Sequence, residues 1–405
     1  MAQPSFAALR HAGFRPYFVY SALAMMADSI EHVISYWIIF EKFRSPALAG
    51  FAVLSHWLPF LLFSVWSGAL ADRYDPRRLI QFGMLLFIVA SAGWGMLFLT
   101  DTLQMWHAAL LLVIHGFAGV FWAPAGQLLI HDIVGEKELQ SAVRLNATGR
   151  YLGLLFGPAV GGVILLAMGP AWGLVFNTLI YVPLILWLWK APYGRKDKPV
   201  AQRVRGWRDI GATVREIAGN RVIVSMTLLA GGASLLVGNA YQAQMPEYAH
   251  DLGHADGGIT YSALLAADAA GALAGGLVLE SRGLLMASPR NAIVLAMLWC
   301  VAIGGFAAAT SYPLALALLF AAGFLELAFS AMAQTLVQLN APAQARGRVI
   351  GLFVMSSLGL RAFSGVTVGL GGALIGIHWS LALSAALLLA MTMALVSFMM
   401  TRREP

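Results

Sequence analysis

The sequence predicts an all-α membrane protein with twelve transmembrane helices, and three observations carry that prediction. Hydrophobic residues make up 60% of the 405, charged residues 11%, and the mean hydropathy is +0.75, whereas soluble domains carry about 25% charged residues. Twelve apolar stretches fall near 17–40, 47–71, 78–100, 106–130, 144–166, 171–190, 221–245, 258–280, 290–311, 313–338, 348–375 and 378–400. Each is long enough to cross a ~30 Å hydrocarbon core as a helix. Finally, the basic residues sit in alternate loops. β-Barrel strands would instead alternate in short segments, which excludes that class.

The N-terminal stretch "MAQPSFAALRHAGFRPYF" lacks a continuous apolar core followed by a small-residue cleavage site. No removable signal peptide is expected, so the first helix stays. Its interior reads "MMADSIEHVIS", placing Asp28, Glu31 and His32 near the bilayer midplane. A charge there costs on the order of 2.5–3.5 kcal/mol by insertion scales and marks a functional site by default. At 100° per residue Asp28 and His32 lie ~40° apart and Glu31 ~60° to the other side, so all three share one helix face. The alternative is a static hydrogen-bonded knot that fixes the first span.

Span two carries His56 and Trp57, and span four His115 and Trp122. Either histidine could line a cavity or bond a neighbouring helix. Counting from a cytoplasmic N-terminus, Arg10, Arg15, Arg73, Arg77, Arg78, Lys137, Arg144 and Arg150 fall on the inner side, as do nine basic residues from Lys190 to Arg221. Arg282, Arg290, Arg346, Arg348, Arg402 and Arg403 complete the inner set, whereas only Lys42 and Arg44 fall outside. This is the positive-inside pattern, with both termini cytoplasmic. The net charge of +7 therefore reflects topology and lipid headgroups rather than nucleic acid.

A polar, basic stretch at 190–221 separates spans six and seven. It divides the chain into 1–190, a linker at 191–220, and 221–405. Within it Trp207, Ile210, Val214 and Ile217 recur at helical spacing, fitting either an amphipathic helix at the inner membrane surface or a solvated tether. In the second half Tyr241 lies in span seven, Asp268 in span eight, Glu326 in span ten and Arg361 in span eleven. Asp268, Glu326 and Arg361 also fall near the bilayer midplane and are candidates for proton coupling or substrate binding, although Asp268 could instead pair with Arg361 or Arg150 to hold helices together. Trp37, Trp57, Phe60, Trp122, Tyr241 and Met245 would suit a ligand with apolar parts, or serve as packing and interface anchors. One cysteine, Cys300, excludes an intrachain disulfide and a cysteine-based zinc cluster. Neither H-E-x-x-H nor a phosphate-binding G-x-x-x-x-G-K-[ST] loop occurs. The Asn146 sequon falls on the inner side and carries no weight.

Three stretches resemble the major facilitator superfamily. "GALADRYDPRR" at 68–78 is similar to its loop between spans two and three, although Asp75-Pro76 stands where glycine is usual. A weak counterpart, "GGLVLESRGLL", occurs at 275–285 between spans eight and nine. By this resemblance Gly68 permits close helix approach, Asp72 pairs with Arg73 or a basic residue of a neighbouring loop, Arg77 and Arg78 face anionic headgroups, and the loop latches the inner side. "GLLFGPAVGG" at 153–162 resembles the exporter motif of span five, with Gly153, Gly157, Pro158, Gly161 and Gly162 in place. Glycines four apart make a flat packing strip and proline bends the helix, giving a pivot. "EKELQSAVRLNATGRYLGLLFGPAVGG" at 136–162 and "QTLVQLNAPAQARGRVIGLF" at 334–353 narrow the likeness to bacterial drug and siderophore exporters.

The resemblance implies two pseudo-symmetric six-helix bundles that alternate access, with spans one, four, seven and ten around a cavity. That would place Asp28, Glu31, His32, His115 and Glu326 at the cavity, and the chain would be an inner-membrane antiporter rather than an enzyme. A carboxyl group's proton affinity rises when water is excluded and falls beside a cation, so one helix face can hold a proton or a cationic ligand in turn. The expected partners are protons, an amphiphilic drug or siderophore, and lipids, for a monomer without cofactor. An importer, or a divalent-metal exporter with Asp28, Glu31 and His32 as ligands, is the first alternative. A non-transporting receptor or enzyme is the second.

Overall fold

The computed structural model describes residues 5–194, 207–253 and 259–400. Among them, ten helices are long and apolar enough to cross a membrane. One of these, Met105–Lys190, is three crossings in succession, because Gly135 (φ 70°, ψ −177°) and Gly169 (φ 73°, ψ 169°) interrupt it. Positive φ with extended ψ is essentially a glycine conformation, so these two residues make the turns. The described chain therefore crosses twelve times. The crossings are α1 (Phe14–Ile38), α2 (Pro46–Arg73), α3 (Pro76–Leu99), α4 (105–134), α5 (136–168) and α6 (170–190), then a span Arg221–Gln242 that begins as α7 (Arg221–Leu236), α8 (Ile259–Ser281), α9 (Pro289–Ala307), α10 (Tyr312–Asn340), a span Arg346–Ile375 that begins as α11 (Arg346–Ser357), and α12 (Ile377–Met400).

Helix starts follow from local chemistry. Ser45, Asp75 and Ser288 each precede a proline, and each side chain accepts a backbone N–H of the first turn: Leu48, Arg77 and Asn291 at 3.2, 2.9 and 3.2 Å. Proline at the first helical position loses no hydrogen bond there, and the cap satisfies a donor that otherwise has none.

Two expected spans are not continuous. α7 stops at Leu236, Gly238 takes φ 53°, and the chain continues as the short helices Ala240–Ala243 and Met245–Asp251. α11 stops at Ser357 and gives way to a tight turn at Gly359–Phe363, a wide turn at Gly365–Leu370 and a last turn at Gly371–Ile375. Glycine-rich sequence weakens the helix, and hydroxyl groups supply the bonds it loses. Thr367 Oγ1 donates to the Leu235 and Leu236 carbonyls at 2.8 and 3.2 Å, and Ser234 Oγ to Ser357 O at 2.9 Å. The two breaks thus support each other.

Buried apolar residues gather into one cluster drawn from 217–395, with Val65 as its member from the first half, and two drawn mainly from 8–188. The two halves meet closely at the end that carries Arg73, Arg144 and Arg348. A Cβ on Gly68 would collide with the Gly347 carbonyl, one on Gly351 with that of Ser64, and one on Gly276 with the Thr148 hydroxyl. Backbones therefore touch between α2 and α11, and α8 meets an α5 side chain as closely.

The linker helix Trp207–Ile217 turns Ile210, Thr213 and Ile217 towards the protein and leaves Val214 exposed. Glu216 lies 3.7 Å from Arg348 on α11. The expected membrane-facing stripe is thus corrected: part of it packs on α11. Residues 195–206 of the linker lie outside the described residues.

The span-five motif is also sharpened. Gly153, Gly157 and Gly161 press against Met26, Ser29 and Ile30 of α1, whereas a Cβ on Gly162 would meet nothing and Pro158 is exposed without interrupting the helix. Gly157→Ala is therefore expected to lower stability by ~1–3 kcal/mol through overpacking, and Gly162→Ala to leave it unchanged or raised. Thermal unfolding of the detergent-solubilised protein checks this, and equal responses at the two positions would contradict the packing.

Candidate functional site

The three acidic and basic groups of α1 converge with side chains from four other helices. His115 of α4 places Nδ1 2.8 Å from Glu31 Oε1, and its Nε2 lies 3.0 Å from Asp28 Oδ1, out of line for a hydrogen bond. The Ser91 hydroxyl of α3 donates to Glu31 Oε2, and Asn177 Nδ2 of α6 donates to Ser91 Oγ at 3.1 Å and to Ala27 O at 2.9 Å. His32 Nδ1 donates to the Asp28 carbonyl at 2.8 Å and stands 3.7 Å from Asp28 Oδ2. The chain of groups runs from a sealed end to an open one: side-chain exposure is 2% at Glu31, 5% at His115, 13% at Asp28 and 24% at His32.

His56 of α2 completes the cluster. Its ring centroid lies 4.9 Å from that of His32 and 5.5 Å from that of His115. Trp57 stands beside it at 4.5 Å. The Arg361 guanidinium sits 5.4 Å from the Trp57 ring, and Arg361 Nη2 is 3.7 Å from Glu326. Trp122 is half-buried and is linked to the cluster through Phe87, whose ring contacts both it and His115.

Asp268 does not pair with Arg361 or Arg150 as the sequence allowed. Its Oδ2 accepts from Tyr241 Oη and Gln242 Nε2, both at 3.2 Å. The break after α7 explains this, since it turns Tyr241 and Gln242 back towards α8. Tyr241 is consequently wholly buried rather than presented to a cavity, as is Met245, while Trp37 is exposed.

At the Arg-rich end Asp72 binds the backbone of α11 and also stands at ion-pair distance from Arg348, a basic residue where the neighbouring loop enters α11. It accepts the amides of Gly347 and Arg348 at 2.6 and 2.9 Å, capping the N-terminus of α11, with Arg348 Nε at 4.0 Å. A carboxylate at a helix N-terminus meets free N–H groups and the positive dipole end. Arg73 lies over the Tyr74 ring instead. Arg77 is corrected as well: it grips Asp75 and the Ala191 carbonyl, so it ties the α2–α3 turn to the end of α6 rather than facing lipid. Arg78 donates to Gln81 at 3.1 Å.

A second latch was not foreseen. Arg144 of α5 donates to the carbonyls of Leu279, Leu284 and Leu285, Gln140 bonds Leu285 O and Ala287 N, and Ser141 donates to Glu280. The sequence signal was available, because Gln140, Ser141 and Arg144 recur at helical spacing on a helix that begins at 136. The expected start at 144 concealed it. Ser91 and Asn177, lone polar residues in apolar runs, were legible only as exceptions.

Twelve crossings, charges buried among them and latches at one end define a multi-pass membrane transporter of the major facilitator class. The chain belongs to the transmembrane secretion effector family of that superfamily, whose pattern matches residues 3–405. It is similar to the enterobactin exporter EntS of Citrobacter koseri, 27% identical over 303 residues, which cover 72% of this chain and 68% of that protein. It is also similar to the staphyloferrin A transporter of Staphylococcus aureus, 23% identical over 150 residues, 37% of this chain and only 38% of the relative's length. In fold it matches the human organic anion transporter MFSD10 with a TM-score of 0.73 at 14% identity, covering 94% of this chain and 99% of that one. It is not an enzyme.

Asp72→Asn is expected to loosen the Arg-rich end, since a charged hydrogen bond contributes about 1.5–3 kcal/mol. In a Cys300→Ser background, a cysteine replacing Ser64 at the α2–α11 contact should then react with a maleimide about tenfold faster or more. Unchanged labelling would show that the cap does not hold this end closed.

Proposed function

We propose that the chain is a proton-coupled exporter of an amphiphilic small molecule of the drug or siderophore class. It works in the inner membrane as a monomer of two six-helix bundles, 1–190 and 221–405, with both termini cytoplasmic and residues 191–220 joining them. The observation that carries the reading is the chain His32, Asp28, His115, Glu31, graded from open to sealed within the first bundle. Neighbouring groups in it stand close enough to pass a proton by small side-chain rotations, and intramembrane ionisable chains of this kind serve proton relays.

The direction of transport rests on the likeness to the enterobactin exporter and on the span-five strip of Gly153, Gly157 and Gly161 against α1. With the Arg-rich end cytoplasmic by charge bias, the Asp72 and Arg144 latches close the inner side. Alternating access then requires both latches to break, and the substrate to enter from the cytoplasm once they have. Trp57, Arg361 and Glu326 offer an apolar wall with one charge of each sign. Such a wall fits an amphiphile.

The test is proton flux in proteoliposomes across a panel of drugs, siderophores and divalent metals. Asp28→Asn, Glu31→Gln and Glu326→Gln are expected to lose gradient-driven accumulation, with Glu31→Gln keeping downhill exchange. Full coupling in all three variants would exclude the mechanism.

A further inference from the structure

We propose that His32, His56 and His115 bind a divalent transition-metal ion, with the Asp28 carboxylate as fourth ligand. One donor atom from each histidine lies within 4.8 Å of the others, on three different helices. The sequence assigned any metal to Asp28, Glu31 and His32. Packing alters that set, because Glu31 is taken up by His115 and Ser91 while His56 arrives from α2.

The ring nitrogens are arranged as a metal site needs them. His115 Nδ1 is held by Glu31 and His32 Nδ1 by a backbone carbonyl, which leaves the Nε2 lone pair of each free. Ligating histidines almost always give their other nitrogen to a carboxylate or carbonyl in this way. His56 Nδ1 is buried without a hydrogen-bond partner, and His115 Nε2 makes no aligned hydrogen bond. Leaving such groups unsatisfied is costly, and a metal ion would satisfy both.

Tetrahedral zinc with metal–nitrogen bonds of about 2.0–2.1 Å places its ligand atoms ~3.3 Å apart. Reaching that from 4.8 Å takes rotations of His32 and His56, both only partly buried, about a fixed His115. Three imidazoles and one carboxylate suit Zn2+, Co2+ or Ni2+, and do not suit Mg2+ or Ca2+, which want oxygen. The 24% exposure of the His32 side chain supplies the route in.

The inference does not depend on proton-driven export, since it is read at equilibrium in detergent without a gradient, and either can fail alone. The purified full chain, freed of any polyhistidine tag, is titrated with Co2+ and followed by its ligand-field absorption, then challenged with Zn2+. One ion per chain with a tetrahedral spectrum, displaced by Zn2+, is expected. Glu31→Gln should weaken binding about 10–100-fold, His56→Gln should abolish the tetrahedral spectrum, and His250→Gln, at an exposed position away from the cluster, should change nothing. X-ray absorption of the zinc-loaded wild type, which needs no variant to fold, should show three imidazoles and one carboxylate. Absence of saturable Co2+ uptake, an oxygen-only shell, or undiminished binding by a folded His56→Gln chain would overturn the proposal.

Discussion

A carboxylate sealed in the hydrocarbon region constrains everything around it. Glu31 is 2% exposed, and a charge at that depth costs a few kcal/mol unless it is matched. Its partners come from α3 and α4, and Asn177 brings in α6 by bonding both Ser91 and the α1 backbone. Four helices of the first half are therefore fixed in rotation about one acidic side chain. Such a network adds specificity more than stability, because removing one member leaves another buried and unpaired.

The second half solves the same problem differently. Its intramembrane charges lie beside broken helices, with Arg361 inside the Gly359–Phe363 turn and Asp268 bonded by residues just past the end of α7. Irregular backbone at membrane depth persists only where it is buried in protein or lines a cavity. The hydroxyls of Ser234, Thr367 and Ser380 meet that condition by bonding backbone carbonyls in and around the breaks. Discontinuous helices of this kind are where transporters place their binding sites. The halves thus combine a charged knot on continuous helices with charges set beside broken ones.

What could be read from the sequence was what a single helix determines. Span count, the Ser-Pro and Asp-Pro starts and the shared face of Asp28, Glu31 and His32 all depend on neighbours in sequence. The meeting of His32 with His56 and His115 does not, because periodicity gives a residue's angle on its own helix but not the rotation of the next helix. For the same reason the bonds of Asp72 to the α11 amides were not foreseen beside its pairing with a basic side chain. The breaks in α7 and α11 were hidden by their hydrophobicity: Gly365–Leu370 is as apolar as a helix and differs only in glycine content. Arg144 was visible but placed at a helix end, and so was counted as a topological charge.

Trp57 joins these two unlike halves. Its ring stands 4.5 Å from that of His56 and 5.4 Å from the Arg361 guanidinium, so one aromatic side chain touches both the histidine cluster and the partner of Glu326. Arg361 belongs to the second half and His56 to the first, so any movement of one half against the other would change the distance between a permanent positive charge and three imidazoles. Charge interactions at this depth are screened far less than at a surface. By Coulomb's law alone, a more distant Arg361 would favour a cation on the histidines and a nearer one would oppose it. Coupling between sites needs a two-state element that both sites bias. Under the proposed alternating access the pair of latches at the Arg-rich end would be that element, with Trp57 in contact with side chains of both halves.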